Sequence, residues 1–206
     1  MRHLFLIVAF VISTTSFAEQ KVNTDYFYFL NGETPGKWGW TLRGDGNGNK
    51  QIPDEGGKSP GGALTLGPAD DAEIPSAIKL KWRRSMNGEV NATIYGKTVD
   101  LSKFEHNAEI AMAIKIISRK VPNRVMFKVK CGKTCNAKIN IAEQLKKAPT
   151  NKWFIFPIAL NCISGAGANL STLSWPFSIS TAERFEIHLA EVRVSEMQPG
   201  KKGCSE

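Results

Sequence analysis

The stretch from Trp153 to Val194 constrains the fold most, because it carries two extended apolar patterns separated by turn formers. In the first run, Trp153 to Cys162, one face of an extended strand would hold Phe154, Phe156, Ile158, Leu160 and Cys162. Trp153, Ile155 and Ala159 would lie on the other face. The last run alternates more cleanly, with Phe185, Ile187 and Leu189 on one side and Glu186 and His188 on the other. Its phase slips by one before Val192 and Val194, which predicts a bulge near Ala190–Glu191. A Gly-rich turn and Trp175–Pro176–Phe177 lie between the two runs. This is the pattern of the closing half of a β-sandwich.

The rest of the chain agrees. Phe27 and Phe29 fit a first strand; Ile78, Leu80 and Trp82 alternate with Lys79, Lys81 and Arg83. Val90, Ala92 and Ile94 alternate with Asn91, Thr93 and Tyr95, and Gly96-Lys97 makes a turn before Thr98 to Leu101. Ile110 to Ile116 forms another run, broken at Pro122. Val125, Phe127 and Val129 alternate with Arg124, Met126, Lys128 and Lys130, and Ala137 to Ile141 returns from the turn at Cys131. Gly44 to Gly62 reads as a long loop, and Ala142 to Lys147 as the one short helix. Strands separated by turn signals, with no βαβ spacing, give an all-β, antiparallel β-sandwich. A length of 206 residues suits one such domain.

Residues 1–18 read as a signal peptide. Arg2 and His3 form a basic start, Leu4 to Ile12 an apolar run, and Ser16-Phe17-Ala18 a small-x-small cleavage site. The run is short for a membrane span and no second one follows, so a membrane-embedded protein is not expected. The single domain is then 19–206, ending in a polar tail from about 195 to 206, and the protein is exported, periplasmic or secreted. Export favours disulfides among the four cysteines. Four cysteines allow three pairings. The spacing of Cys131 and Cys135 suits a bridge across a tight turn, leaving Cys162 to tie Cys204 to the core strand; a buried free thiol at Cys162 is the alternative. The formal net charge is +8, with basic residues spread along alternating strands, as on solvated faces. Basic residues interleaved with stacking aromatics would mark a nucleic-acid site, and export makes that partner unsuitable, whereas an acidic polysaccharide is compatible.

No catalytic arrangement stands out. Neither His106 nor His188 has an elbow serine or a metal-ligand neighbour in sequence, and Gly165-Ala-Gly167 lacks the third glycine and helix of a phosphate loop. Asp45, Asn47 and Asn49 place oxygen ligands at alternate positions, as a calcium loop begins, although Lys50 and Gly56 break the EF-hand pattern. A structural calcium is the one cofactor considered, with those three residues as its ligands. A sugar site asks for a flat aromatic face with polar side chains beside it. Among five tryptophans, Trp82 and Trp175 sit among apolar neighbours and read as core. Trp38 and Trp40 flank a glycine ahead of a long loop and read as a rim, Trp153 lies off the apolar face, and Tyr95 shares a polar face with Asn91. The carbohydrate candidates are therefore Trp38, Trp40, Asn91, Tyr95 and Trp153.

An ordered set of segments carries a resemblance. It comprises Thr98-Val-Asp-Leu-Ser102, Cys131-Gly-Lys-Thr-Cys135, Trp153 with Pro157-Ile-Ala-Leu-Asn-Cys162, Gly167-Ala-Asn-Leu170, Pro176-Phe177 and Glu191-Val-Arg-Val194. Trp40-Thr41-Leu42 with Gly44-Asp45, and Leu80-Lys81-Trp82, extend it towards the start. Across roughly residues 38 to 194 the chain resembles the galactose-binding-like jelly roll at the C-terminus of exo-acting family-three glycoside hydrolases, the bacterial glucan β-glucosidases. That family's domain follows a catalytic barrel and an α/β domain, neither of which is found in these 206 residues, so glycosidase activity is not carried over. Cys162-Ile163 also departs from the family's common Cys-Phe, and Cys204 is an addition. The resemblance implies a non-catalytic module for β-glucan or a related polysaccharide. Its alternative is a structural or interaction module that packs against a separate glycosidase or cell-envelope protein.

Overall fold

The computed structural model describes residues 23–44 and 48–204. The proposed signal peptide lies outside them, as do Asp45 and Asn47. In chain order the strands and helices are β1 (Phe27–Leu30), β2 (Gly39–Arg43), β3 (Asn49–Ile52), β4 (Gly57–Lys58), β5 (Leu64–Pro68), β6 (Ile78–Trp82) and β7 (Val90–Tyr95). There follow β8 (Ala108–Ile116), β9 (Met126–Cys131), β10 (Cys135–Asn140), α1 (Ala142–Lys147), β11 (Trp153–Ala159), α2 (Leu160–Gly165), β12 (Leu173–Trp175), β13 (Phe177–Thr181) and β14 (Phe185–Glu196). Two antiparallel sheets result. The first runs β11-β8-β14-β6-β5-β4 with β1 on β14, and the second β10-β9-β13-β7-β2-β3 with β12 on β9.

Period-two alternation explains the layering. Leu80, Trp82, Ile114, Ile187 and Leu189 of the first sheet meet Trp40, Leu42, Ile94, Phe127, Phe177 and Ile179 of the second in one continuous buried core. Aromatic edges lock the centre, Trp40 meeting Phe29 at 5.7 Å and Phe177 at 5.9 Å between ring centroids. Along β14 the register shifts between Leu189 and Glu191, where the slipped phase predicts a bulge.

Three readings of the sequence change. The apolar run from Trp153 does not stay extended to Cys162: the strand ends at Ala159 and α2 begins. A short apolar run satisfies both periods, and Leu160 and Ile163, three apart, bury as a helical pair while Cys162 turns towards the tail. Thr98 to Leu101 makes an isolated bridge, Val99 to Leu173, instead of a strand. The long loop after Arg43 contains β3 and β4, so it is part of both sheets' edges.

Both expected bridges are present, Cys131 to Cys135 and Cys162 to Cys204. The first closes the β9–β10 hairpin, where Gly132 takes φ of 74°, a left-handed turn conformation that favours glycine. The second pins the tail beside α2, where Asn161 also donates to the carbonyls of Lys202 and Cys204. Among the described residues, no helix is long and apolar enough to cross a membrane.

Candidate functional site

The outward face of the second sheet is polar because its strands put every other residue there. Thr41 pairs with Thr93 and Thr93 with Ser178, while Arg43 pairs with Asn91 and Asn91 with Ser180. Lys138 of β10 faces Lys128 of β9, and Asn136 faces Lys130. These rows floor a cleft of about 580 Å³. Arg43, Asn49, Glu89, Asn91, Lys128, Lys130, Lys133, Asn136, Lys138 and Trp175 all contribute to its lining.

Trp175 supplies the cleft's aromatic face. Its strand pairs with β9 through an irregularity, Leu173 opposite Cys131 but Trp175 opposite Lys130. Leu173 is buried while Trp175 is left half-buried, with the Lys130 ammonium 4.5 Å from its ring centroid. The sequence neighbours of Trp175, Pro176 and Phe177, are buried, and their apolar character is what makes Trp175 read as core. Trp175 is instead open to the cleft.

Glu89 organises the polar end. Its Oε1 accepts from Arg124 Nε at 2.6 Å; its Oε2 accepts from Lys128 Nζ at 2.7 Å and from Ser180 Oγ at 3.1 Å. Lys128 Nζ also donates to Asn91 Oδ1 at 2.9 Å. Burial works against the Glu89 carboxylate, but hydrogen bonds from Lys128 and Arg124 outweigh it and bring its pKa down to about 2. Burial is likewise the largest influence on the Lys128 ammonium and pushes its pKa down; the Glu89 hydrogen bond opposes this, and the charges of Lys138 and Arg43 add to it. Beneath, Thr93 and Ser178 hydroxyls hydrogen-bond each other at 2.8 Å. The arrangement holds these side chains in place through one another. Among the described residues the cleft lining holds one carboxylate, Glu89, which cations keep ionised and unsuited to act as a general acid near neutral pH.

The residues singled out from sequence separate into groups. Asn91 and Asn49 line the cleft. Tyr95 is half-buried beside Gly39, where a Cβ would come 3.6 Å from its ring, and lies outside the lining. Trp38 and Trp40 are not a rim, being only 5% and 1% exposed. Trp38 packs edge-on against Tyr28 and donates from Nε1 to the Thr24 carbonyl at 2.7 Å, and Trp40 is at the centre of the core. A buried indole has no face to offer a sugar. The glycine between them belongs to β2, so the pair shares one inward face. Asn49, the one described member of the candidate calcium set, is exposed in β3.

Trp153 belongs to the opposite side of the sandwich. Its Nε1 donates to Asp71 Oδ1 at 3.2 Å, and the Lys115 ammonium lies 5.8 Å from its ring. Asp71 is buried in the loop between β5 and β6 and accepts from Lys115 Nζ at 3.0 Å and from the backbone N–H groups of Glu73 and Ile74. His188 Nδ1 lies 3.1 Å from Asp71 Oδ2. Burial opposes ionisation of Asp71, yet these partners hold its carboxyl far below the usual range. Trp153 is therefore part of a polar lock that fastens a loop over the first sheet.

The residues that sequence reading missed are Glu89, Lys128, Lys130, Lys138 and Trp175. Their one sequence signal is the alternating Lys128–Lys130 pattern opposite Asn91, which reads as an ordinary solvated face until the strand order is known.

Several solved structures share this fold. The extra C-terminal domain of the exo-1,3/1,4-β-glucanase ExoP from a Pseudoalteromonas species superposes with a TM-score of 0.66 at 13% identity, covering 88% of this chain and 99% of that one. Against the exo-1,3/1,4-β-glucanase structure itself, the match covers 90% of this chain but spans 22% of that chain, with the same TM-score of 0.66 and 13% identity. The family 30 carbohydrate-binding module of a cellulosomal cellulase from Clostridium thermocellum matches with a TM-score of 0.56 at 17% identity, covering 82% and 95%. A search of curated protein sequences gives no match. The sequence from 38 to 194 matches the family model described as galactose-binding domain-like (Exop_C), and the chain belongs to that family.

Proposed function

We propose that this protein is a non-catalytic polysaccharide-binding module whose site is the cleft over β9, β13, β7 and β2. The observation that carries the reading is the exposed part of Trp175 set into a cleft whose polar side chains are already held by one another. An aromatic face stacks on the C–H surface of a sugar ring, and preorganised amides and hydroxyls pair with sugar hydroxyls at little ordering cost. The related solved domains are, by their names, carbohydrate-binding modules or part of a glucanase, which supports β-glucan as the reference ligand. Two disulfides support an exported protein, residues 1–18 being its signal peptide.

Affinity electrophoresis in gels containing neutral or acidic glycans tests the reading. Retardation of the wild type that is lost in Trp175→Ala is the expected result. Unchanged mobility in every glycan, or equal retardation of the variant, overturns it.

A second reading rests on the edge strand β11, where Ile155 is 51% exposed beside exposed Pro157. An apolar strip there fits a structural module that packs on a separate glycosidase or envelope protein. Ile155→Lys should abolish co-purification of such a partner while leaving glycan retardation intact; a partner retained by the variant removes this reading.

A further inference from the structure

We propose that the cleft takes an acidic polysaccharide, one bearing carboxylate or sulfate groups, in preference to a neutral glucan. The inference rests on the cleft being the glycan site.

Five cationic side chains line the cleft, Arg43, Lys128, Lys130, Lys133 and Lys138, against one carboxylate among the described residues, Glu89. Glu89 is fully committed: its two oxygens are occupied by Arg124, Lys128 and Ser180. Lys128 is committed as well, to Glu89 and Asn91. The internal network therefore consumes the one negative charge that the described residues place there and leaves the outer cations over. Among the described residues, Lys130, Lys133 and Lys138 enter no ion pair. Lys130 is instead stationed over the Trp175 ring.

Their placement is set by the sheet. Lys138 and Lys128 are cross-strand partners about 5 Å apart at the backbone, and Lys130 follows on the same face of β9, opposite Asn136. Lys133 sits in the turn held by the Cys131–Cys135 bridge, which fixes the end of this row. Directly facing like charges destabilise a sheet, and the positive potential they concentrate in a concave site attracts anions. A neutral glucan would stack on Trp175 but leave that potential unanswered. A chain carrying regularly spaced anions would stack on the same ring and pair with the lysines. On the other face, Lys115 is neutralised by Asp71 and Glu73 and Lys81 by Glu186, with Lys79 left without an ion pair among the described residues.

The test compares dissociation constants, by titration calorimetry at low and high salt, for four probes: a neutral β-1,3/1,4-glucan, the same glucan carboxymethylated, polygalacturonate and dextran sulfate. Two triple variants are compared with the wild type. K130Q/K133Q/K138Q removes the cleft charges, and K58Q/K147Q/K152Q removes as many from exposed positions that do not line the cleft. The expected result is tighter binding of an anionic probe than of neutral glucan, weakened about tenfold by the cleft triple and little by the control. Salt should reproduce the loss. Preference for the carboxylated pair or for the sulfated probe names the anion. Equal affinity for neutral and carboxymethylated glucan overturns the inference while leaving glycan binding in place. Equal losses in the two triples overturn it too, since attraction would then be to overall charge. Binding to none of the probes removes the glycan reading itself.

Discussion

Asp71 and Glu89 each gather cations on the outside of one sheet, yet they leave very different surfaces behind. Asp71 collects Lys115, His188, Trp153 and two backbone N–H groups under a loop that covers the first sheet. The small apolar cluster of Ala69, Ala77 and Ala190 packs beneath the same loop, with Ile74, Ala113 and Trp153 against it. Glu89 collects Arg124, Lys128 and Ser180, and a cleft opens beside it. The same chemistry thus closes one face and prepares the other. An ion-pair network becomes a site when its remaining donors and acceptors still meet solvent.

The largest effect expected from breaking this comparison is at Asp71. Lys115 keeps Glu73 as a partner, but an amide at Asp71 turns a donor towards groups that now donate to a buried carboxylate, at a cost of about 3 kcal/mol. Asp71→Asn should therefore lower the melting temperature by roughly 10 °C in a chain of this size. Glycan retardation measured well below the melt should be unchanged, because the cleft lies on the other sheet. Denaturant unfolding checks the first half and affinity electrophoresis the second. A loss under about 1 kcal/mol would make the lock an ordinary surface pair.

Acid should reach the two networks in sequence. Both carboxyls are depressed in the folded state, so each contributes stability that is present above its unfolded pKa and lost as pH falls through its folded value. For Glu89 the window runs from 4.5 down to about 2, and its share is on the order of 2 kcal/mol. The Asp71 contribution begins to fall near its ordinary value of 3.8 and continues to lower pH than that of Glu89. Melts from pH 6 to pH 2 should show Glu89→Gln flattening the upper part of the acid limb and Asp71→Asn the lower. Identical profiles for the two variants would erase the distinction between the faces.

How much of this was legible in the sequence follows from what each signal depends on. Strand identity, the bulge after Leu189, the Ala142–Lys147 helix and the Cys131 turn depend on local period and spacing, and these are visible in a single chain. The site depends on which strands become neighbours. Lys130 and Trp175 lie far apart in sequence and meet because β12 pairs with β9, while Asn91 meets Lys128 through β13 between their strands. Tryptophan exposure was the least legible feature. Trp40 adjoins Gly39 and a long loop, and Trp175 adjoins the apolar Pro176 and Phe177, yet the inward face of β2 and the shifted register of β12 bury the first and leave the second open to the cleft.

The smallest effect on stability, and the sharpest on selectivity, is expected from Glu89→Gln. The amide keeps an acceptor for Lys128 or Arg124, and Asn91 still accepts from Lys128, so few hydrogen bonds are lost. Arg124 is largely exposed and can be hydrated in place of its partner. The cost at neutral pH should be about 1–2 kcal/mol, well below that of Asp71→Asn. The same change removes the one carboxylate that the described residues place in the cleft lining. If the cleft selects acidic polysaccharide, Glu89→Gln should tighten an anionic probe by about threefold at low salt and leave neutral glucan almost unchanged. Calorimetry on the two glucans that differ only in carboxymethylation reads this directly. Weaker binding of both would mean that Glu89 serves the ligand itself, by accepting from sugar hydroxyls, and would overturn its part as the one charge that opposes an acidic ligand.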